Sequence, residues 1–258
     1  MAFREWKLGA KRVNPLGTLS GLILFALLAA AIVGGYFAYR WWRGDGRRNT
    51  LVWEYLYDPA AHPDWVTRAN SRCEGAPFAF PTDGYVGYLY GDSFRPLRQH
   101  QGIDVFGDRP LGETPVYAAA DGFLTRFPDW KSAVIIRVPN DPLSPGREIW
   151  LYYAHMADPQ GNSFIDPAFP PGTSEKPVAA GQPLGFQGNY SGDAENPTGV
   201  HLHFSIVRGD GQGGFRNETD IANTLDPSPY FGMPLSAASG AYGPPRCGKP
   251  GGGDGTNG

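Results

Sequence analysis

The sequence predicts a mainly β fold of antiparallel strands, preceded by one N-terminal transmembrane α-helix. Glycine and proline number 36 and 25 among 258 residues, which suits many turns and short strands better than long helices. From residue 78 onward, apolar and β-branched runs alternate with breaks containing Gly or Pro, the spacing of an all-β domain. Residues 22–39 are almost continuously apolar and no charge falls between residues 13 and 39, enough for the roughly 20 residues that cross a hydrocarbon layer.

At the N-terminus, residues 1–17 read as a short basic cytoplasmic segment and residues 18–39 as the anchor, with Tyr36, Tyr39, Trp41 and Trp42 as an interfacial belt. A cleaved signal peptide is disfavoured by the length of the run, the bulky residues after Gly35 and the lack of a small-x-small site. Residues 1–48 hold eight Lys or Arg against Glu5 and Asp45, a balance of +6; with −3 for the whole chain, residues 49–258 carry −9. A body that acidic excludes nucleic acid as the partner. Four basic residues precede the run and four follow it, so charge alone does not orient it.

Residues 40–76 form a juxtamembrane arm, in which residues 51–57 suit a short strand or a helix equally. His62, between Ala61 and Pro63, reads as a surface residue. Residues 81–84 form a turn, and residues 85–90 a strand. In His100-Gln101-Gly102-Ile103-Asp104-Val105, an extended chain puts His100, Gly102 and Asp104 on one face and Ile103 and Val105 in the core, with Gly102 leaving room for an ion. Gly102 and the β-branched residues disfavour a helix there. Further strands are expected over residues 115–127, 132–138, 148–156 and 201–207, with Asp121-Gly122 as a turn. In the strand over 148–156, alternation puts Leu151, Tyr153 and His155 on one side; in the last strand His201, His203 and Ser205 face one way, and Leu202, Phe204 and Ile206 the other. Residues 157–176, 188–199 and 209–214 are irregular, residues 233–258 form a Gly/Pro-rich tail, and its end from residue 248 is expected to be disordered.

Two imidazoles side by side on a strand begin a transition-metal site but are too few to complete one. His100 and Asp104 supply the remainder. His-x-x-x-Asp followed by His-x-His resembles the M23 family of zinc metallopeptidases, the lysostaphin-like and LytM-like enzymes that cut bacterial cell-wall peptides. Further family-like pieces follow in order: residues 114–122 (TPVYAAADG), 152–156 (YYAHM) and 178–185 (VAAGQPLG), so that the resemblance spans roughly residues 84–208.

The resemblance implies an M23-type sheet core with a groove, placed over residues 77–232, and one Zn2+ held by His100, Asp104 and His203 with water at the open position. It implies that His155 and His201 are catalytic, shuttling protons and holding the tetrahedral intermediate. Many relatives have Glu where Ser205 stands, and that departure is not expected to remove metal binding. A cell-wall substrate places the catalytic domain outside a single-pass anchor, with peptidoglycan peptide as partner. In that compartment Cys73 and Cys247 can pair; two free thiols is the other reading. No residue of the arm presents itself as a blocking ligand, so an accessible site is expected.

Two alternatives share parts of the pattern. One is a catalytically silent M23-like protein that binds cell wall or activates an amidase; such relatives typically lack ligands or catalytic histidines that are all present here. The other is a non-haem iron oxygenase, whose facial triad also uses two His and one carboxylate. His155 and His201 suit proton transfer in hydrolysis better than oxygen activation.

Overall fold

The computed structural model describes residues 15–42, 45–92, 99–241 and 243–248. Most of the expected basic N-terminus, the side chains of Trp41 and Trp42, and the tail after residue 248 fall outside the described residues. The chain divides into two compact units, Met1–Gly46 and Arg47–Gly258. The first contains α1 (Pro15–Trp42), whose segment Ser20–Tyr39 is long and apolar enough to cross a membrane and is exposed throughout.

The second unit begins within α2, which spans Asp45–Tyr57 and so settles the open choice over residues 51–57 in favour of a helix. Arg48, Val52 and Tyr55 are buried at steps of four and three, a helical period. Val52 and Tyr55 pack with Tyr85 and Phe106, and Leu51, Leu56 and Trp65 close around them. Side-chain packing, rather than local propensity, selects the helix.

Among the described residues ten strands follow: β1 (Tyr85–Tyr88), β2 (Ile103–Phe106), β3 (Pro115–Tyr117), β4 (Gly122–Thr125), β5 (Val134–Val138), β6 (Ile149–Ala154), β7 (Lys176–Val178), β8 (Pro183–Phe186), β9 (Leu202–Arg208) and β10 (Thr224–Leu225). The main sheet runs β1-β2-β9-β6-β5-β4-β7, with β10 also paired to β9; β3 and β8 form a separate two-stranded sheet. All named pairings are antiparallel. The run over residues 115–127 is therefore two strands in two sheets, joined by a corner at residues 118–121. The pair β7 and β8, unforeseen as strands, closes one edge of the main sheet and partners β3.

The main sheet is apolar on both faces. Val134, Ile136, Leu151, Tyr153, Phe204 and Ile206 belong to the principal core. Ile135, Trp150 and Val207 form a second cluster on the opposite side, with Trp130, Tyr152 and Phe215 against it. Cys73 and Cys247 are joined in a disulfide, their Cα atoms 5.4 Å apart across 174 positions of sequence.

Candidate metal centre

Strand pairing brings residues a hundred positions apart face to face. Asp104 on β2 is the direct cross-strand partner of His203 on β9, and such partners hold their Cβ atoms about 5 Å apart. Gly102 makes the approach possible: a Cβ there would lie 2.1 Å from the Phe204 carbonyl oxygen. The absent side chain is filled by the neighbouring backbone, which corrects the expectation that it leaves space for an ion.

His100 lies before β2 rather than on it. Its backbone N–H donates to the Asp92 carbonyl at 2.8 Å, and its own carbonyl accepts from Gly91 N–H at 2.8 Å. Its Nδ1–H donates to the Leu89 carbonyl at 3.0 Å. With that proton committed, Nε2 presents its lone pair. Nε2 lies 3.1 Å from Asp104 Oδ1 and 3.1 Å from His203 Nδ1, and these last two are 2.9 Å apart. Three electron-rich atoms so close repel one another unless a cation or a proton lies among them. Ligands about 2.0–2.1 Å from a tetrahedral zinc ion are about 3.3 Å apart, so the triangle fits three corners of such a site.

Electrostatics agrees with the geometry. Burial alone would raise the Asp104 carboxyl, but His100 and His201 and the hydrogen bonds of His100 and His203 outweigh it and hold the group well below the usual carboxylate range. Burial opposes charge on His100, yet Asp104 beside it raises the imidazole overall. The cluster is built to hold positive charge.

Two further imidazoles stand beside it. His201 Nδ1–H donates to the Gly199 carbonyl at 2.7 Å, and its Nε2 lies 3.6 Å from Asp104 Oδ1, with the ring stacked on Phe106 at 5.1 Å. His155 Nδ1–H donates to the Tyr190 carbonyl at 2.6 Å, and its ring centre is 4.5 Å from that of His201. Burial pushes His155 down to about 3, reinforced by His201 and His203, and burial likewise lowers His201. At neutral pH both hold an unprotonated Nε2.

His155 departs from the expected alternation. Leu151 and Tyr153 are core residues, but β6 ends at Ala154 and His155 has φ +69, the left-handed region. That reversal takes its ring off the core-facing row and into the groove. The turn is held by Gly188, where a Cβ would come 2.3 Å from the His155 carbonyl oxygen and 2.2 Å from that of Ala157.

All five of these residues line one groove of about 520 Å³. Its walls include Val52, Trp53 and Leu56 of α2, with Tyr88, Phe106 and Tyr152 of the sheet. Glu218, in the loop before β10, also lines it; burial raises its carboxyl and His203 partly offsets that. Residues 51–57 and Tyr152 were noted in the sequence without a role in the site, and Glu218 was not singled out, because no spacing rule joins it to the histidines. Ser205 is buried and stands outside the donor cluster. His62 is partly buried, its ring 4.0 Å from Trp65 and its Nε2 3.5 Å from Glu54 Oε1. Asp108 is exposed, and Asp121 accepts the Ala180 N–H at 2.8 Å.

No protein-family model matches the chain, and no curated protein matches its sequence. Solved structures similar to it include the catalytic domain of the antimicrobial peptidase lysostaphin from Staphylococcus simulans, at 20% identity and TM-score 0.34, covering 61% of this chain and 93% of that one. A longer lysostaphin structure from the same organism gives 19% identity and TM-score 0.35, with 74% of this chain and 61% of that one covered. The catalytic domain of the prophage-encoded M23 protein EnpA from Enterococcus faecalis, in a single-site variant, gives 24% identity and TM-score 0.32, with 59% and 95% covered.

Proposed function

We propose that this chain is a membrane-anchored zinc metallo-endopeptidase that hydrolyses peptide bonds of bacterial cell-wall peptidoglycan. The reading rests on one observation: the triangle of His100 Nε2, Asp104 Oδ1 and His203 Nδ1, closed to within 3.1 Å beside the imidazoles of His155 and His201. The motif resemblance supplies the substrate class, and the exposed apolar helix Ser20–Tyr39 supports the anchor. On this reading the second unit is extracytoplasmic, where its disulfide is stable.

Zinc, when bound by His100, Asp104 and His203, supplies a Lewis acid and a water of lowered pKa. The chain's own residues do the rest. Leu89, Gly199 and Tyr190 carbonyls fix three imidazole tautomers, so that His100 offers a ligand lone pair and His201 and His155 turn unprotonated Nε2 atoms toward the groove. Those two Nε2 atoms accept a proton from attacking water and return one to the leaving amine. The apolar walls at Phe106, Tyr152 and Leu56 exclude bulk water and hold the peptide along the sheet.

Metal analysis of protein purified without added metal tests the cofactor: stoichiometric zinc is expected, while stoichiometric iron with oxygen consumption would support an oxygenase. Digestion of purified cell wall tests the activity. Wild type is expected to release peptide fragments and His203→Ala to release none; equal release from both would remove the peptidase reading and leave a binding role.

A further inference from the structure

The groove holds one carboxylate that the chemistry does not use. Asp104 is occupied by His100 and His203. Glu218 is not: its side chain is half-buried, lines the groove within electrostatic reach of His203, and lies outside the metal-ligating cluster. Among the described residues the Glu218 carboxylate makes no hydrogen bond or ion pair, and no Lys or Arg lines the groove.

Its loop is fixed in advance. Gln101, next to ligand His100, donates from Nε2 to the Thr219 carbonyl at 2.5 Å. Thr219 donates from its backbone N–H and its Oγ1 to Asn217 Oδ1, at 3.1 and 2.9 Å. Asn223 Nδ2 donates to the Asn217 carbonyl at 3.0 Å, and Asp220 caps the next turn through the Ala222 N–H at 3.0 Å. Glu218 therefore stands on a braced segment, so that binding a cation orders its side chain but not its loop.

A half-buried carboxylate with no hydrogen-bond or ion-pair partner, beside apolar walls, is an acceptor for positive charge brought by the ligand. We propose that Glu218 is a recognition residue that receives a primary ammonium group of the peptide substrate, close to the bond that is cut. A peptide offers such a group from two sources, the side chain of a basic or diamino acid and a free N-terminus. This inference rests on the peptidase reading for the reaction, but its binding arm does not need turnover.

The test uses the full-length zinc-loaded protein and three synthetic peptides of one backbone: one with a free side-chain amine, one with a free N-terminal amine, and one with both amines acetylated. Wild type is expected to favour one of the amine peptides over the acetylated one by about fivefold in kcat/KM, the size of a partly exposed ion pair. The favoured peptide identifies the source. In Glu218→Gln that ratio falls to about one, and in Glu218→Asp part of it survives. Calorimetric binding of the same peptides gives the same ratio even if none is cut, so a failed peptidase reading leaves this inference testable. Equal handling of all three peptides by wild type would overturn it. So would a Glu218→Gln variant that loses activity equally on all three, since that outcome marks a residue that positions His203.

Discussion

On the proposed reading, each imidazole of the site takes its task from what its Nδ1 or Nε2 touches. His100 Nδ1, His201 Nδ1 and His155 Nδ1 all donate to backbone carbonyls, whereas His203 turns its Nδ1 toward the cluster. The ligands and the two catalytic candidates therefore separate by substitution. His203→Ala is expected to lose both metal and turnover. His155→Ala and His201→Ala are expected to keep stoichiometric zinc and lose about 10²–10⁴-fold in rate, the usual worth of a general acid or base; loss of zinc from either would move it into the ligand set. The histidines were legible as a set from their motifs, but strand alternation did not place them: His100 lies before β2, His155 after β6, and only His203 is on a named strand. Their anchors were not legible, since Leu89, Gly199 and Tyr190 act through backbone carbonyls, which any residue possesses. The reversal at His155 was equally hidden: a non-glycine at φ +69 leaves no mark in the sequence.

Elements carry the next level of precision. The β2–β9 register aligns Asp104 with His203, and it depends on the bare backbone of Gly102 against the Phe204 carbonyl. Gly102→Ala must push the two strands apart, because the added Cβ would meet the Phe204 carbonyl oxygen at 2.1 Å, a backbone atom that cannot swing aside as a flexible side chain does. The expected cost is about 1–3 kcal/mol of stability, with a larger proportional loss of zinc affinity, because the ligand atoms sit within 3.1 Å of one another. Denaturant melts and zinc competition with a chelator measure the two separately; a variant with unchanged zinc affinity would show that the ligands do not depend on this strand contact. Most strands were legible from β-branched and aromatic runs between turns. The corner at Ala118-Ala119-Ala120 was not, because small residues suit a strand and a bend alike and only pairing partners distinguish β3 from β4. For α2, Thr50, Val52 and Trp53 favour a strand locally, and the helix appears only through the buried face of Arg48, Val52 and Tyr55. That helix also reaches the site from behind: Arg48 Nε pairs with Asp92 Oδ2 at 3.0 Å, and Asp92 Oδ2 accepts the Leu89 N–H at 2.6 Å, one residue's peptide away from the carbonyl that orients His100.

At the scale of the whole molecule, the second unit is tied shut at its ends. Cys73 precedes the first strand, Cys247 follows the last, and Gly232 lies against the Cys73 side chain, with a Cβ there coming 3.0 Å from Cys73 Cβ. The enclosed segment contains the entire sheet, so the bond removes more freedom from the unfolded chain than a local crosslink would. In the chain-entropy model a loop of this length contributes about 5 kcal/mol, comparable with the whole net stability of many domains. Neither cysteine lines the groove. Cys73→Ser with Cys247→Ser is therefore expected to lower the denaturant midpoint strongly while leaving zinc content and the pH dependence of turnover unchanged at temperatures where the variant stays folded. Dithiothreitol should reproduce the loss in wild type and do nothing further to the double variant. Reductant that removed zinc or activity from fully folded protein would contradict this division, since it would tie the clamp to the placement of His100 and His203 rather than to the cost of unfolding.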